Sequence, residues 1–139
     1  PDPQSEKTFK KSILNHALKN EEPHHSLLEF YRRLIYRRKN IPALSNPDKN
    51  KQNVLEAHDA NVIFIHRWFG ENHAVLLLNF DRESRKAGFP FPPGKWSKSL
   101  DSADFPPEKE TVSPEEFTTS SEIQEIHISS RSAVLFIKE

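Results

Sequence analysis

The apolar positions of the chain follow a helical period between residues 26 and 41 and a period of two after that. At about 100° per residue, six large side chains of the first segment fall on one arc of roughly 160°. They are Leu27, Leu28, Phe30, Tyr31, Leu34 and Ile35. Ser26 and Glu29 have the S-x-x-E spacing of a capping box, and Asn40 with Pro42 interrupts the pattern. This arrangement predicts an amphipathic helix over about Leu27 to Lys39.

Two runs rich in β-branched and aromatic residues follow the helix. NVIFIHRWF and AVLLLNF are separated by a short polar stretch, which predicts a β-hairpin of Val62–Phe69 with Ala74–Phe80 through Gly70–His73. Both faces of the first run are largely apolar, so we expect a sheet that is covered on both sides.

Weaker signals complete the pattern. A short helix is predicted from about Ser5 to Leu18, and further strands at Val54–His58 and in KWSKSL. SEIQEIHI and SAVLFIK predict a second hairpin at the end of the sequence, whereas Asp81 to Gly94 predicts a long loop. The predicted fold class is therefore mainly β, with an antiparallel β-sandwich from about Val54 to Glu139.

Composition excludes several classes of function. The 20 basic and 20 acidic residues cancel, so no net field favours a nucleic acid or an anionic membrane surface. The sequence has no cysteine, which removes disulfides, thiolate zinc sites and thiol nucleophiles. No apolar run is long enough to cross a bilayer and no signal-peptide pattern is present, so we expect a cytoplasmic protein.

Candidate chemistry is sparse. The three glycines form no phosphate-binding loop, no serine lies in a Gly-x-Ser-x-Gly elbow, and the pair Glu115–Glu116 lies in polar sequence. We therefore predict no catalytic residue, no metal site and no cofactor. Trp68 and Trp96 are candidate sugar-stacking platforms, although packing in a core or interface is the better interpretation of both. The basic cluster of Arg32, Arg33, Arg37, Arg38 and Lys39 is interpreted as a solvated helix face.

The order of a broad apolar helix and an antiparallel β-domain resembles the end of enzymes of the α-amylase family of glycoside hydrolases. EFYRRLIYRRKNIPAL is similar to the last helix of their (β/α)8 barrel, and VLLLNFDRE, PPGKWSKSLDSAD and RSAVLFIKE are similar to strands of their C-terminal β-domain. The resemblance implies that residues 1–45 end a catalytic barrel and that residues 46–139 form a C-terminal all-β domain.

The opening PDPQSEKTFKKSIL resembles a connector of the malto-oligosyltrehalose trehalohydrolases within that family. Such enzymes cleave an α-1,4 bond next to a terminal trehalose with retention of configuration. The resemblance implies a C-terminal fragment that carries none of the catalytic carboxylates. Its partner would be the N-terminal barrel, and maltooligosyltrehalose would be the substrate of the parent enzyme.

Three alternatives stay open. A free-standing carbohydrate-binding β-module would need Trp68 or Trp96 exposed on its surface. The C-terminal domain of another family member, such as a glycogen branching enzyme, has similar strands. A nucleic-acid-binding domain is disfavoured by the zero net charge. The apolar arc of the helix predicts either that the helix folds back onto the β-domain and the Ser5–Leu18 segment, or that it pairs with a second copy. Self-association of the fragment, or partial disorder of residues 1–25, is the favoured expectation, because a short polar segment offers little apolar cover.

Overall fold

The computed structural model describes residues 2–105, 111–120 and 122–139. Pro1 of the opening motif and Ser121 of the predicted second hairpin lie outside the described residues. All features below refer to the described part of the chain.

Eight antiparallel strands form two sheets. The strands are β1 Gln52–Ala57, β2 Val62–Phe69, β3 Asn72–Asn79, β4 Arg85–Phe89, β5 Gly94–Asp101, β6 Glu116–Thr119, β7 Gln124–Ile128 and β8 Ser132–Lys138. The larger sheet has the order β1-β2-β3-β8-β5-β6, and β4 pairs with β7 in a sheet of two strands. The predicted mainly β, antiparallel fold is confirmed.

The hairpin of β2 and β3 forms the second and third strands of the larger sheet. Its last pair joins Phe69 to Asn72, so the turn consists of Gly70 and Glu71. Gly70 has a φ of +55°, in the left-handed region that favours glycine. The predicted hairpin is confirmed, and β3 begins two residues earlier than the sequence pattern indicated.

The main core lies between the two sheets. The larger sheet contributes alternate residues of its central strands, and the small sheet covers them with residues of β4 and β7. The buried members are Val62, Phe64, Val75, Leu77, Ala87, Phe89, Phe91, Trp96, Ile126, Ile128, Val134 and Phe136. Phe91 has edge-to-face contacts with the rings of Trp96, Phe117 and Phe136, the geometry that aromatic pairs favour.

The opposite face of the larger sheet is covered by helices of the same chain. Helices α1 Glu6–Ser12, α2 His24–Asn40 and α3 Pro42–Ser45 precede the strands, with a 3₁₀ turn at His16–Asn20. A second cluster joins α2 and α3 to this face. It contains Ala43, Ala74, Leu100 and Leu135, with Phe30, Ile41, Leu44, Leu76, Phe105 and Ile137 packed against them. The two apolar faces of the larger sheet are thus covered by different elements: the small sheet covers one face, and α2 with α3 covers the other.

The predicted hairpin of the last two strands is wrong. β7 pairs with β4 in the small sheet, whereas β8 lies between β3 and β5 in the large sheet. The connection crosses the sandwich at Ser129–Arg131, where Arg131 has a φ of +44°. Both strands direct apolar side chains into the same core from opposite sheets, and this gives the same alternation along the sequence as a hairpin does.

The predicted loop from Asp81 to Gly94 is also corrected, because it contains β4. That strand has five residues and includes Gly88, which weakens its alternating signal. The predicted strand at Val54–His58 is present as β1 and is shifted by one to two residues.

The predicted helix starts need correction too. Helix α2 begins at His24 with Pro23 as its N-cap residue, so Ser26 lies inside the first turn. The carboxylate of Glu22 accepts hydrogen bonds from the Ser26 amide and hydroxyl, in place of the predicted capping box with Glu29. The weak helix is shorter than predicted, because α1 ends at Ser12.

We predict that Phe136→Ala lowers the free energy of unfolding by about 3–5 kcal/mol, because it removes a fully buried ring from the inter-sheet core. The matched control Phe69→Ala removes a ring that is 54% exposed and should cost less than about 1 kcal/mol. Urea unfolding followed by circular dichroism measures both. Equal losses in the two variants would contradict the assignment of the core.

Candidate functional site

Helix α2 is attached to the β-domain through aromatic and arginine contacts. The ring of Phe30 lies 5.0 Å from that of Phe105, and the guanidinium of Arg33 lies 5.3 Å from the centre of the same Phe105 ring. The Arg37 guanidinium donates to the Ser99 hydroxyl at 2.8 Å and to the Ser99 carbonyl. These contacts fix the side of α2 that faces the sheet.

Helix α3 is held by a second arginine. Arg67 of β2 donates from Nε to the carbonyl of Ala43 at 3.2 Å and from Nη2 to the carbonyl of Asn46. The carbonyl of Ala43 lies within α3 and that of Asn46 directly follows it. Arg67 thus satisfies acceptors at a helix terminus, which otherwise lack partners, and connects the helical segment to the β2–β3 hairpin.

The outward side of α2 remains open. Leu27, Tyr31 and Ile35 are 53%, 56% and 53% exposed. All three belong to the predicted apolar arc, which is wider than the sheet can cover with one helix. We call the set of Leu27, Tyr31, Leu34 and Ile35 the open arc of α2. Soluble monomers rarely expose large contiguous apolar patches, so the arc is a candidate interface.

The basic side chains at the end of α2 differ in how far they are exposed to solvent. Burial lowers the pKa of the Arg37 guanidinium from its ordinary value, and the neighbouring Arg33 lowers it further. Arg32 instead forms an ion pair with Glu29 on the exposed side. The basic cluster therefore divides into exposed residues and residues that contact the β-domain, a division that composition could not predict.

Trp68 lies in a second candidate region, at the end of β2. Its ring is partly buried and lies 5.1 Å from the imidazole of His66. The imidazoles of His66 and His73 are stacked at 5.2 Å, and Nε2 of His66 lies 2.9 Å from Nδ1 of His73. An aromatic face beside polar ring nitrogens is compatible with stacking on a sugar, so Trp68 stays a candidate.

Trp96 does not share that position. It is fully buried, its Nε1 donates to the carbonyl of Pro92 at 3.0 Å, and its ring packs on Phe91. Trp96 therefore packs in the core, as the favoured interpretation of the sequence predicted, and its fully buried ring has no face open to a sugar.

The two paired carboxylates of the sequence are each held by a lysine. Glu115 lies 2.6 Å from Nζ of Lys98, and Glu116 lies 3.0 Å from Nζ of Lys95. Among the described residues, no group of three or more acidic, histidine or cysteine side chains could hold a metal ion. No described helix is long and apolar enough to span a membrane.

Known proteins share both sequence and architecture with this chain. Over 85 residues, 61% of the chain, it is 35% identical to a malto-oligosyltrehalose trehalohydrolase of Deinococcus radiodurans. The predicted resemblance is confirmed. The chain spans only 14% of that relative, and the match fits the predicted C-terminal portion of such an enzyme. No family model matches the chain.

Solved structures extend the likeness to the fold. A candidate α-amylase of Salmonella typhimurium matches all of the chain with a TM-score of 0.64 and 23% identity, over 20% of its own length. An Anoxybacillus α-amylase matches 81% of the chain with a TM-score of 0.60 and 15% identity, over 22% of its length. The chain therefore has the fold of a part of α-amylase-family enzymes that is about one fifth of their length.

The histidine pair predicts a pH dependence. Burial, His73 and Lys138 lower the pKa of His66 to about 4, and burial also lowers the pKa of His73. The folded state favours the neutral form of both rings. Their contribution to the free energy of unfolding is therefore complete above the unfolded pKa of about 6.5 and declines as the pH falls towards 4. The free energy of unfolding should therefore decrease from pH 7 to pH 4.5.

Urea unfolding at several pH values tests this expectation. His66→Gln should flatten the decline between pH 7 and pH 4.5, whereas the exposed His24→Gln should leave it unchanged. Equal slopes for the wild type and His66→Gln would contradict a role of the pair.

Proposed function

We propose that this chain is the C-terminal, non-catalytic part of a trehalose-releasing glycoside hydrolase of the α-amylase family, and that it stabilises the catalytic barrel. The single observation that carries this proposal is the 85-residue similarity to a malto-oligosyltrehalose trehalohydrolase, together with the shared fold. A position in the cytoplasm and a boundary between residues 45 and 46 are parts of the same proposal.

Helix α2 supplies the physical link in this proposal. One side packs on the β-domain through Phe30 and Arg37, and the open arc on the other side would pack on the rest of the barrel. A helix that packs on one domain with one side and on a second domain with the other side couples the unfolding of the two domains. Removing the β-domain would then expose the sheet-facing side of α2 and weaken the barrel.

The chemistry of the parent would reside outside this chain. Retaining glycosidases need a nucleophile and an acid/base carboxylate about 5–5.5 Å apart, and the active face of a barrel is formed by the loops after its strands. Here Glu115 and Glu116 have exposed side chains, and each forms an ion pair with a lysine. Maltooligosyltrehalose would therefore bind to the barrel portion.

A second function is favoured by the position of Trp68. Its partly buried ring beside two histidines could contact a glucan, as in a carbohydrate-binding module. Retardation in a native gel that contains maltodextrin, lost in Trp68→Ala and retained in Phe69→Ala, would favour this function. The same fold would also suit another family member, such as a glycogen branching enzyme.

We predict that the chain alone releases no trehalose from maltooligosyltrehalose, because it contributes no acid and nucleophile pair. Prolonged incubation followed by chromatography of the products tests this. Turnover that copurifies with the chain and is lost in Glu115→Gln or Glu116→Gln would refute the non-catalytic assignment.

We also predict that the chain alone self-associates through the open arc of α2. Its apparent mass in light scattering should rise with protein concentration, and Ile35→Glu should return it to that of a monomer because a charge disfavours burial. Tyr36→Glu, on the other side of the helix, is the matched control. A wild-type mass that stays monomeric at all concentrations would contradict this prediction.

A further inference from the structure

A cavity of about 190 Å³ lies between helix α2 and the outer face of the larger sheet. Its apolar wall contains Phe30, Leu34, Leu44, Leu76, Leu100 and Leu135. Protein interiors are packed closely and leave few voids larger than a water molecule. Because an apolar cavity of ~150 Å³ can hold benzene, this one has room for a phenyl or isobutyl side chain.

The cavity reaches the surface at the open arc of α2. Leu34 belongs to both, and it is 37% exposed. On the sheet side, Ala133 contributes only a methyl group to the wall, where neighbouring positions contribute leucines. The N-terminal segment of the chain does not fill the space, because its apolar residues Phe9, Ile13 and Leu14 are themselves largely exposed.

Positive charge surrounds the same opening. Arg37 and Arg38 complete the lining, and Arg33 lies close by over Phe105. Within the described part of the chain, none of these three guanidinium groups pairs with a carboxylate, and the exposed guanidinium of Arg38 has no hydrogen bond. Arginine binds carboxylates with strong, directional hydrogen bonds. The opening therefore suits a segment that carries both an apolar side chain and an acidic one.

We propose that this cavity is a socket for one leucine or phenylalanine side chain of the catalytic portion of the same enzyme, and that a neighbouring aspartate or glutamate of that portion pairs with Arg38. The choice of occupant rests on the proposed function. The chain spans 14% of its curated relative, so most of the polypeptide of such an enzyme is available to supply this segment.

The first experiment tests the socket with a probe that has both groups. We expect 4-phenylbutyrate to shift the methyl resonances of Leu34, Leu44 and Leu100 in NMR spectra of this chain, and butyrate at the same concentration not to. Arg38→Gln should weaken the binding of 4-phenylbutyrate about fivefold to tenfold, because it removes a charged hydrogen-bond donor. Arg32→Gln, whose guanidinium pairs with Glu29, is the matched control and should bind as the wild type does.

A second variant tests the volume of the cavity. Ala133→Leu should fill it and abolish the shifts caused by 4-phenylbutyrate while the backbone spectrum stays folded. Ala133→Val serves the same purpose if the larger side chain prevents folding. Unchanged binding in the filled variant, or shifts confined to residues outside the cavity, would overturn the socket.

The third experiment identifies the occupant in a complete enzyme that contains this sequence. A photoreactive p-benzoylphenylalanine in place of Leu34 should cross-link to the same polypeptide, upstream of residue 1 and within a few residues of an aspartate or glutamate. A cross-link to a second copy, or none upstream, would overturn this choice. Trehalose release is assayed separately: an active enzyme without the cross-link refutes the socket alone, and a cross-linked enzyme without that activity refutes the proposed function alone.

Discussion

The structure depends on the burial of both faces of β3 and β8, the two central strands of the larger sheet. Their residues alternate between Val75, Leu77 and Phe136 on one face and Leu76 and Leu135 on the other, and both sets are apolar. A sheet of this kind cannot leave either face in water without losing much of its hydrophobic stabilisation. The small sheet covers one face and the helices cover the other, so each of these elements has a defined place.

The small sheet covers its face of the larger sheet more completely than the helices cover the other face. Among the described residues, the inter-sheet core contains twelve that are buried, and Phe64, Trp96 and Phe136 are completely inaccessible to solvent. The helical layer consists mainly of α2, one helix on a sheet of six strands, and it leaves a cavity beneath Leu34. A surface that is half covered by its own chain is what we expect where a further domain packs, and this links the fold to the proposed role in a larger enzyme.

Sequence reasoning predicted the features that short-range signals determine. The β2–β3 hairpin follows from two apolar runs and a glycine turn, and α2 from its helical period. The partners of β7 and β8 could not be predicted, because Ile126 and Val134 alternate alike whether their strands pair or face each other across a core. Likewise, the sequence gives Trp68 and Trp96 similar contexts. Only the packing of Phe91 on Trp96 and the partial exposure of Trp68 separate a core residue from a candidate for sugar contact.

Although the net charge of the chain is zero, basic residues are concentrated at the end of α2. The sequence predicts a solvated face for its arginines, but Arg37 donates to Ser99 of β5 and Arg33 lies over Phe105, so two of these cations contact the β-domain. Arg32, Arg38 and Lys39 are exposed. A guanidinium that is partly desolvated without a carboxylate is unfavourable unless hydrogen bonds or a later partner compensate it. Ser99 supplies such hydrogen bonds for the partly buried Arg37, whereas the Arg38 side chain is exposed and forms no ion pair within the described residues. The distribution of charge, and not its sum, therefore separates Arg37, which holds α2 on the β-domain, from Arg38, which is available to the carboxylate proposed above.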